Sequence, residues 1–272
     1  MHTTARVSIL SLTLLFLFGC ASLPPNAKRD PRDPWERVNR TTYKFNDEVD
    51  RYLLKPVAKG YVKVTPTFVQ RGVSNFFDNL NYPVTIVNDL LQAQFKAFAS
   101  DTGRLVLNTT VGIGGFFDPA TAAGLEKNSR DFGQTLGKWG LKPGPYLVIP
   151  VLGPSDVRDG VGRVADTYSN PRQYIQNSYA YWGLWVAGGV DTRVRLLGTD
   201  QLVQSAYDPY AFVRNAYLQR RQFLVTGESG PSPEEQQQED KLFEEAGEEE
   251  QPQTPKQPAP PQNNPQPPPQ PH

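Results

Sequence analysis

Few side chains in this chain could do chemistry. Histidine stands only at positions 2 and 272, and cysteine only at position 20. A serine or cysteine nucleophile needs a base within hydrogen-bond reach, and a zinc site needs several imidazoles or thiolates. The single cysteine excludes a disulfide within the chain and a Cys-based metal cluster. Carboxylate pairs remain, such as Asp47/Glu48 and Asp156/Asp159. A glycosidase holds two carboxylates across a cleft, and nothing in the spacing singles out such a pair. Asp156 falls in the first turn of an expected helix, where a negative charge is simply stabilising. The glycines of NTTVGIGGFFDPATAAG lack the Lys-Ser/Thr pair and the preceding strand of a phosphate loop. They read as close helix contacts, a hinge or a tight turn. The expectation is therefore no enzyme, no metal and no cofactor.

The two ends differ from the middle. The chain opens MHTTARVSILSLTLLFLFGCAS, with Arg6 ahead of an apolar run from Val7 to Phe18. That run is too short to span a bilayer and fits the core of a secretory signal, residues 1–19. It ends on Leu17-Phe18-Gly19-Cys20. This resembles a bacterial lipobox, which implies cleavage before Cys20 and acylation of that residue as a lipid anchor. Ala21 in place of aspartate points to the outer membrane of a Gram-negative cell. The alternative is an ordinary cleaved signal with an incidental cysteine. Residues 20–32 read as a polar tether. From Glu228 to His272 there are ten acidic residues, two basic ones and twelve prolines, which reads as a disordered acidic tail. The net zero charge hides an asymmetry, because Cys20 to Gly227 carries 25 Lys/Arg against 18 Asp/Glu. Such a body could lie against anionic headgroups, or the excess is ordinary solvated charge.

Residues 33–227 must then position whatever site exists, and they suffice for one domain. Asp33-Pro34-Trp35-Glu36 reads as an N-cap, a first-turn proline and a capping-box carboxylate. Trp35, Val38, Thr42, Phe45, Val49 and Tyr52 follow at spacings of three and four, one face of an amphipathic helix. Thr65-Pro66 opens a second helix, Tyr82-Pro83 a third, and Phe95 to Val106 carry a fourth. Ser155 reads as the cap of SDVRDGVGRVADTY, and Asp208-Pro209 starts the last helix. NSYAYWGLWVAGGVDTRVRLLG is a core helix or one lying in a membrane interface, where Trp182 and Trp185 would be at home. The fold class is mainly α.

GPYLVIPVLGPSDVRD interrupts this pattern. An apolar run between two Gly-Pro pairs, with Pro150 at its centre, suits neither a central strand nor an unkinked helix. It reads as a short stiff loop or edge hairpin.

The runs DPWERVNRTTYKFNDEVDRYLLKPVAKGY, SNFFDNLNYPVTIVNDLLQ, NTTVGIGGFFDPA and DFGQTLGKWGLKPGPYLVIPVLGPSDVRD together resemble the MlaA (VacJ) outer-membrane lipoproteins, over about Asp30 to Val225. Asn39, Arg40, Tyr43, Phe45 and Asn46 carry the motif N-R-x-x-Y-x-F-N. The resemblance implies a ring of amphipathic helices embedded in the inner leaflet of the outer membrane, on its periplasmic side, with an amphipathic channel. Glycerophospholipids misplaced in the outer leaflet would enter it and leave toward a periplasmic carrier, MlaC, so that lipid asymmetry is maintained. Trimeric porins are implied as further partners, and no nucleic acid is. On this basis Tyr146, Leu147, Val148, Ile149, Pro150, Val151 and Leu152 are expected to form a hairpin beside the channel. Its apolar face would meet acyl chains and Pro150 would blunt its edge; the alternative is a core-packing loop. Phe45 and its neighbours are candidates for holding the channel closed. Two other readings stand beside transport: a porin-associated structural lipoprotein that moves no lipid, and a carboxylate hydrolase acting on lipid or wall.

Overall fold

The computed structural model describes residues 30–227. The expected leader, Cys20, most of the tether and the acidic tail lie outside them. As the periodicity requires, the described residues are mainly helical, with one two-stranded antiparallel sheet.

Helix α1 (Glu36–Val49), a π-helical stretch (Asp50–Leu54) and α2 (Lys55–Val64) run on without a break. The wider π turn carries Asp50, which takes two hydrogen bonds from Arg193 at 2.5 and 3.0 Å. The expected cap at Asp33 is not one. Trp35 occupies the N-cap position of α1 without a side-chain cap bond, and the Asp33 carboxylate is buried and turned elsewhere.

Helix α3 (Thr67–Leu91) also corrects the sequence reading. Tyr82-Pro83 opens no new helix, because Pro83 lies inside one 25-residue helix. Packing against α4 (Phe95–Thr110) holds α3 together there. Tyr82 is buried and accepts from Arg104 Nε at 2.6 Å, so the flanking turns are fixed by tertiary contacts that outweigh the proline's local cost. The glycines after α4 form a tight turn: Gly114 and Gly115 adopt positive φ of 67° and 90°, which Gly tolerates. Gly115 also presses on α3, where an added Cβ would lie 2.4 Å from Asn79.

Two short helices follow, α5 (Pro119–Ala122) and α6 (Phe132–Lys138), capped by Asp118 and Asp131. Strand β1 (Tyr146–Ile149) pairs with β2 (Gly153–Asp156). Ser155 does not cap the next helix, α7 (Val157–Asp166). It lies in β2, and Asp156 is the cap, accepting from the Asp159 N–H at 2.8 Å. The difference is one of position, since Ser155 is spent in the strand and the next residue, also a good cap type, starts the helix. After two 3-10 turns come α8 (Ser178–Leu196), α9 (Asp200–Ser205) and α10 (Pro209–Thr226). Asn177 caps α8, and Asp208 caps α10 as its Asp-Pro start implies.

Candidate functional site

The hairpin is the best-defined candidate site, and α1 builds it. Asn39 and Asn46 stand two helical turns apart on one face. Asn39 Nδ2 donates to the Tyr146 carbonyl at 3.0 Å, and its Oδ1 accepts from Val148 N at 2.9 Å. Asn46 does the same further along, donating to the Ile149 carbonyl at 3.1 Å and accepting from Val151 N at 2.7 Å. The Tyr146 N–H meets the Arg32 carbonyl at 2.8 Å. Side-chain amides thus complete the free edge of β1 as a third strand would. Pro150 is outside the strand, in the turn, so it does not blunt the edge; the two asparagines do. Pro154 lies opposite Val148, whose N–H is already taken by Asn39, so the missing proline donor breaks no pair.

The hairpin has two parts. Tyr146 and Val148 are buried and form the apolar core with Tyr210 of α10, with Tyr43, Tyr217 and Leu218 packed around them. Tyr43 and Tyr210 meet edge to face at 5.7 Å, and Tyr146 and Tyr210 at 6.3 Å. At the turn the side chains emerge: Pro150 is exposed, Val151 is 61% exposed and Leu152 45%. Leu147 and Ile149 are half-buried.

The motif residues divide likewise. Arg40 clamps α1 to the start of α10, pairing with Glu36 at 2.8 Å and Asp208 at 2.5 Å and lying 4.4 Å over the Tyr210 ring. Both carboxylates stabilise its charge, and Arg40 in turn holds the Asp208 carboxyl below its usual range. Asn39, Tyr43 and Asn46 face the hairpin. Phe45 points away from it and is 47% exposed. Sequence reading missed Asp33, which is buried and accepts from Asn39 Nδ2 at 2.8 Å, from Tyr210 Oη, and from Arg214 Nη1 at 3.2 Å. Its only sequence signal was an aspartate just ahead of a helix, the signature of a cap.

The carboxylates singled out in the sequence serve structure. Asp47 pairs with Arg51 on the surface at 2.8 Å. Asp159 accepts from Tyr217 Oη at 2.5 Å and from Arg221 Nη2 at 2.8 Å. Burial, together with the Asp159 charge, pushes the Asp156 carboxyl up to about 6.

Polarity across the whole body is inverted. Among the described residues, buried polar and charged side chains outnumber buried apolar ones by 20 to 8, while 35 large apolar side chains are exposed. They include Phe68 on α3, Val161 and Val164 on α7, and Tyr179, Trp182 and Val186 on α8. A water-facing domain shows the opposite arrangement inside. No helix of the described residues is long and apolar enough to cross a membrane.

Comparison with known proteins agrees with this picture. The family model described as MlaA lipoprotein matches residues 31–224. The intermembrane phospholipid transport system lipoprotein MlaA of Escherichia coli K12 is 37% identical over 230 residues, which is 82% of this chain and 89% of the relative. The protein of the same name from Haemophilus influenzae is 35% identical, covering 82% of this chain and 89% of its own length. A solved structure, described as the structural basis for maintenance of bacterial outer membrane lipid asymmetry, superposes with a TM-score of 0.65 at 37% identity. It covers 73% of this chain and all of its own. The chain therefore belongs to the MlaA lipoprotein family.

Proposed function

We propose that the chain is an outer-membrane lipoprotein, anchored through acylated Cys20, that removes misplaced glycerophospholipids from the outer leaflet. The body lies in the inner leaflet as a ring of helices, on the periplasmic side. Lipid passes through an amphipathic channel to the periplasmic carrier MlaC, and trimeric porins flank the assembly. The observation that supports this most strongly is the inverted polarity. Exposed Trp, Phe and Val side chains on several helices suit acyl chains, and apolar patches of this extent mark a membrane or partner surface. The names and titles of the similar proteins support the phospholipid and outer-membrane parts.

No bond needs to form or break. A polar path through hydrocarbon lowers the cost of moving a charged headgroup. A passive path cannot set direction, so direction comes from the lipid's differential affinity for the partners. The hairpin tip, Val151 and Leu152, meets acyl chains, while Tyr146 and Val148 hold the hairpin in the body.

The test is outer-leaflet phospholipid in cells lacking the protein, and in cells complemented with wild type or with Val151→Ser and Leu152→Ser together. Accumulation without the protein, cured by wild type and only partly by the tip variant at equal abundance, is expected. No accumulation without the protein would instead favour a structural lipoprotein that moves no lipid.

A further inference from the structure

Guanidinium groups withdrawn from water are matched to carboxylates almost throughout this body. Among the described residues, every arginine that is not exposed has a carboxylate at ion-pair distance, with Arg172 the exception. Arg172 belongs to the 3-10 turn Pro171–Tyr174, between α7 and α8. Its guanidinium carbon lies 5.7 Å from the centre of the Phe77 ring on α3. Nη2 donates to Asn81 Oδ1 at 2.8 Å, and Nε is buried with no acceptor. Gly188 of α8 leaves it room, because a Cβ there would come within 3.3 Å of the Phe77 ring and 3.6 Å of Arg172 Nη1.

This position is unfavourable for a lone cation. Partial burial draws the Arg172 pKa below the usual arginine value, and no neighbouring anion opposes the shift. A neutral amide answers the charge only in part. The guanidinium fork matches phosphate oxygens in pairs, and the contact with Asn81 is at the surface. Tyr168 and Tyr174, four residues before it and two after it in the chain, are exposed, and tyrosine is a residue type that settles at headgroup depth in a bilayer.

We infer that Arg172, with Asn81 beside it, binds the phosphodiester of a glycerophospholipid, whose glycerol and acyl region lies against the flanking aromatic side chains. The inference rests on the transport reading above and adds a headgroup site to it. A free phosphate ion shares the anion chemistry but not the acyl chains.

The experiment uses the full-length protein in detergent micelles and reads tryptophan quenching by two probes, phosphatidylglycerol with brominated chains and diacylglycerol with the same chains, with inorganic phosphate as competitor. Two variants are compared with wild type. Arg172→Gln removes the charge. Asn81→Asp keeps the arginine and its stacking on Phe77 but supplies the missing counter-ion. Both are expected to weaken phosphatidylglycerol binding roughly tenfold, the scale of one charge-assisted hydrogen-bond pair, and to leave diacylglycerol binding unchanged. Inorganic phosphate is expected not to compete at equal concentration. If wild type takes up phosphatidylglycerol and both variants match it, the site is wrong and the transport reading stands. If inorganic phosphate displaces the lipid as well as lipid does, the site is one for a free anion and the inference is overturned. If wild type takes up neither lipid, the transport reading falls and this site with it.

Discussion

The Val151 N–H donates to Asn46 Oδ1 at 2.7 Å, and Val151 holds a φ of 66°. A β-branched residue in the left-handed region costs about 1–2 kcal/mol, so the asparagine is what keeps the turn in this shape. The same side chain also donates through Nδ2 to the Ile149 carbonyl, and Asn39 repeats the arrangement three residues earlier, with Tyr146 and Val148. The family motif at Asn39 and Asn46 thus specifies a hairpin more than a hundred residues away.

Asn46→Ala is expected to destabilise the full-length protein by about 1–3 kcal/mol, the cost of leaving backbone groups unpaired. Val151→Gly is expected to hold or raise stability by up to ~1 kcal/mol, because glycine adopts positive φ without strain. Guanidinium unfolding midpoints in detergent check both. A Val151→Gly midpoint well below wild type would show that the valine side chain, not the turn, carries the stability.

Asp33→Ala leaves Arg214 with Asp30 as its only carboxylate, strands Tyr210 Oη and leaves Asn39 Nδ2 with the Tyr146 carbonyl alone. Removing one member of a buried ionic group costs about 3–5 kcal/mol. The expected result is low abundance in cells and a large loss of midpoint. A mild effect would mean that water replaces the carboxylate in the core.

What could be read ahead of the structure followed from local signals. Asp208-Pro209 and the Gly-Pro-bounded run at Tyr146–Leu152 announced a helix start and a hairpin, because turn and cap chemistry acts within a few residues. Pro83, Asp33 and Ser155 misled for the opposite reason. Pro83 is held in a helix by Tyr82 and Arg104 from across the α3–α4 contact, and Asp33 is claimed by Tyr210 and Arg214 from the far end of the chain. The site depends still more on long-range pairing. Asn39 and Asn46 stood out only as parts of a motif, and the spacing of seven that lets both reach one strand edge was visible but had no partner to explain it. Arg172 carries no sequence signal, since what distinguishes it is the absence of an acid in three dimensions.

Titration separates two groups of carboxylates. Burial, with help from Asp89, raises Asp101 to about 6, and burial raises Asp166 to about 6. Asp101 faces Asp89 on α3 and Arg130 and Asn128 from the following loop. For these groups the folded state binds protons more readily than the unfolded chain, so their contribution falls as pH rises from about 4 through 6. Asp131 and Asp208 run the other way: the Arg221 guanidinium helps hold Asp131, and the Arg40 guanidinium Asp208, below the usual range. Their contribution is lost only as pH falls below about 4. The unfolding midpoint is expected to decline from pH 4.5 to 7, and Asp101→Asn to flatten that decline. A midpoint rising steadily to neutrality would contradict the assignment.

Phe45 is half-exposed and contributes little to the core. Phe45→Ala is expected to leave abundance and midpoint unchanged while altering outer-leaflet phospholipid, as a side chain controlling passage would. Wild-type lipid levels at wild-type abundance would remove Phe45 from any gating role.

The inverted polarity bears on which surroundings the fold tolerates. In hydrocarbon, apolar side chains gain nothing by clustering, since lipid tails satisfy them equally well, whereas ion pairs such as Arg104–Asp118 and Arg221–Asp131 strengthen as the dielectric falls. In such surroundings, which the proposed function requires, cohesion would rest on the ion pairs more than on apolar clustering. In water the ion pairs still join the helices while the exposed apolar side chains make the exterior adhesive, so self-association is expected before unfolding.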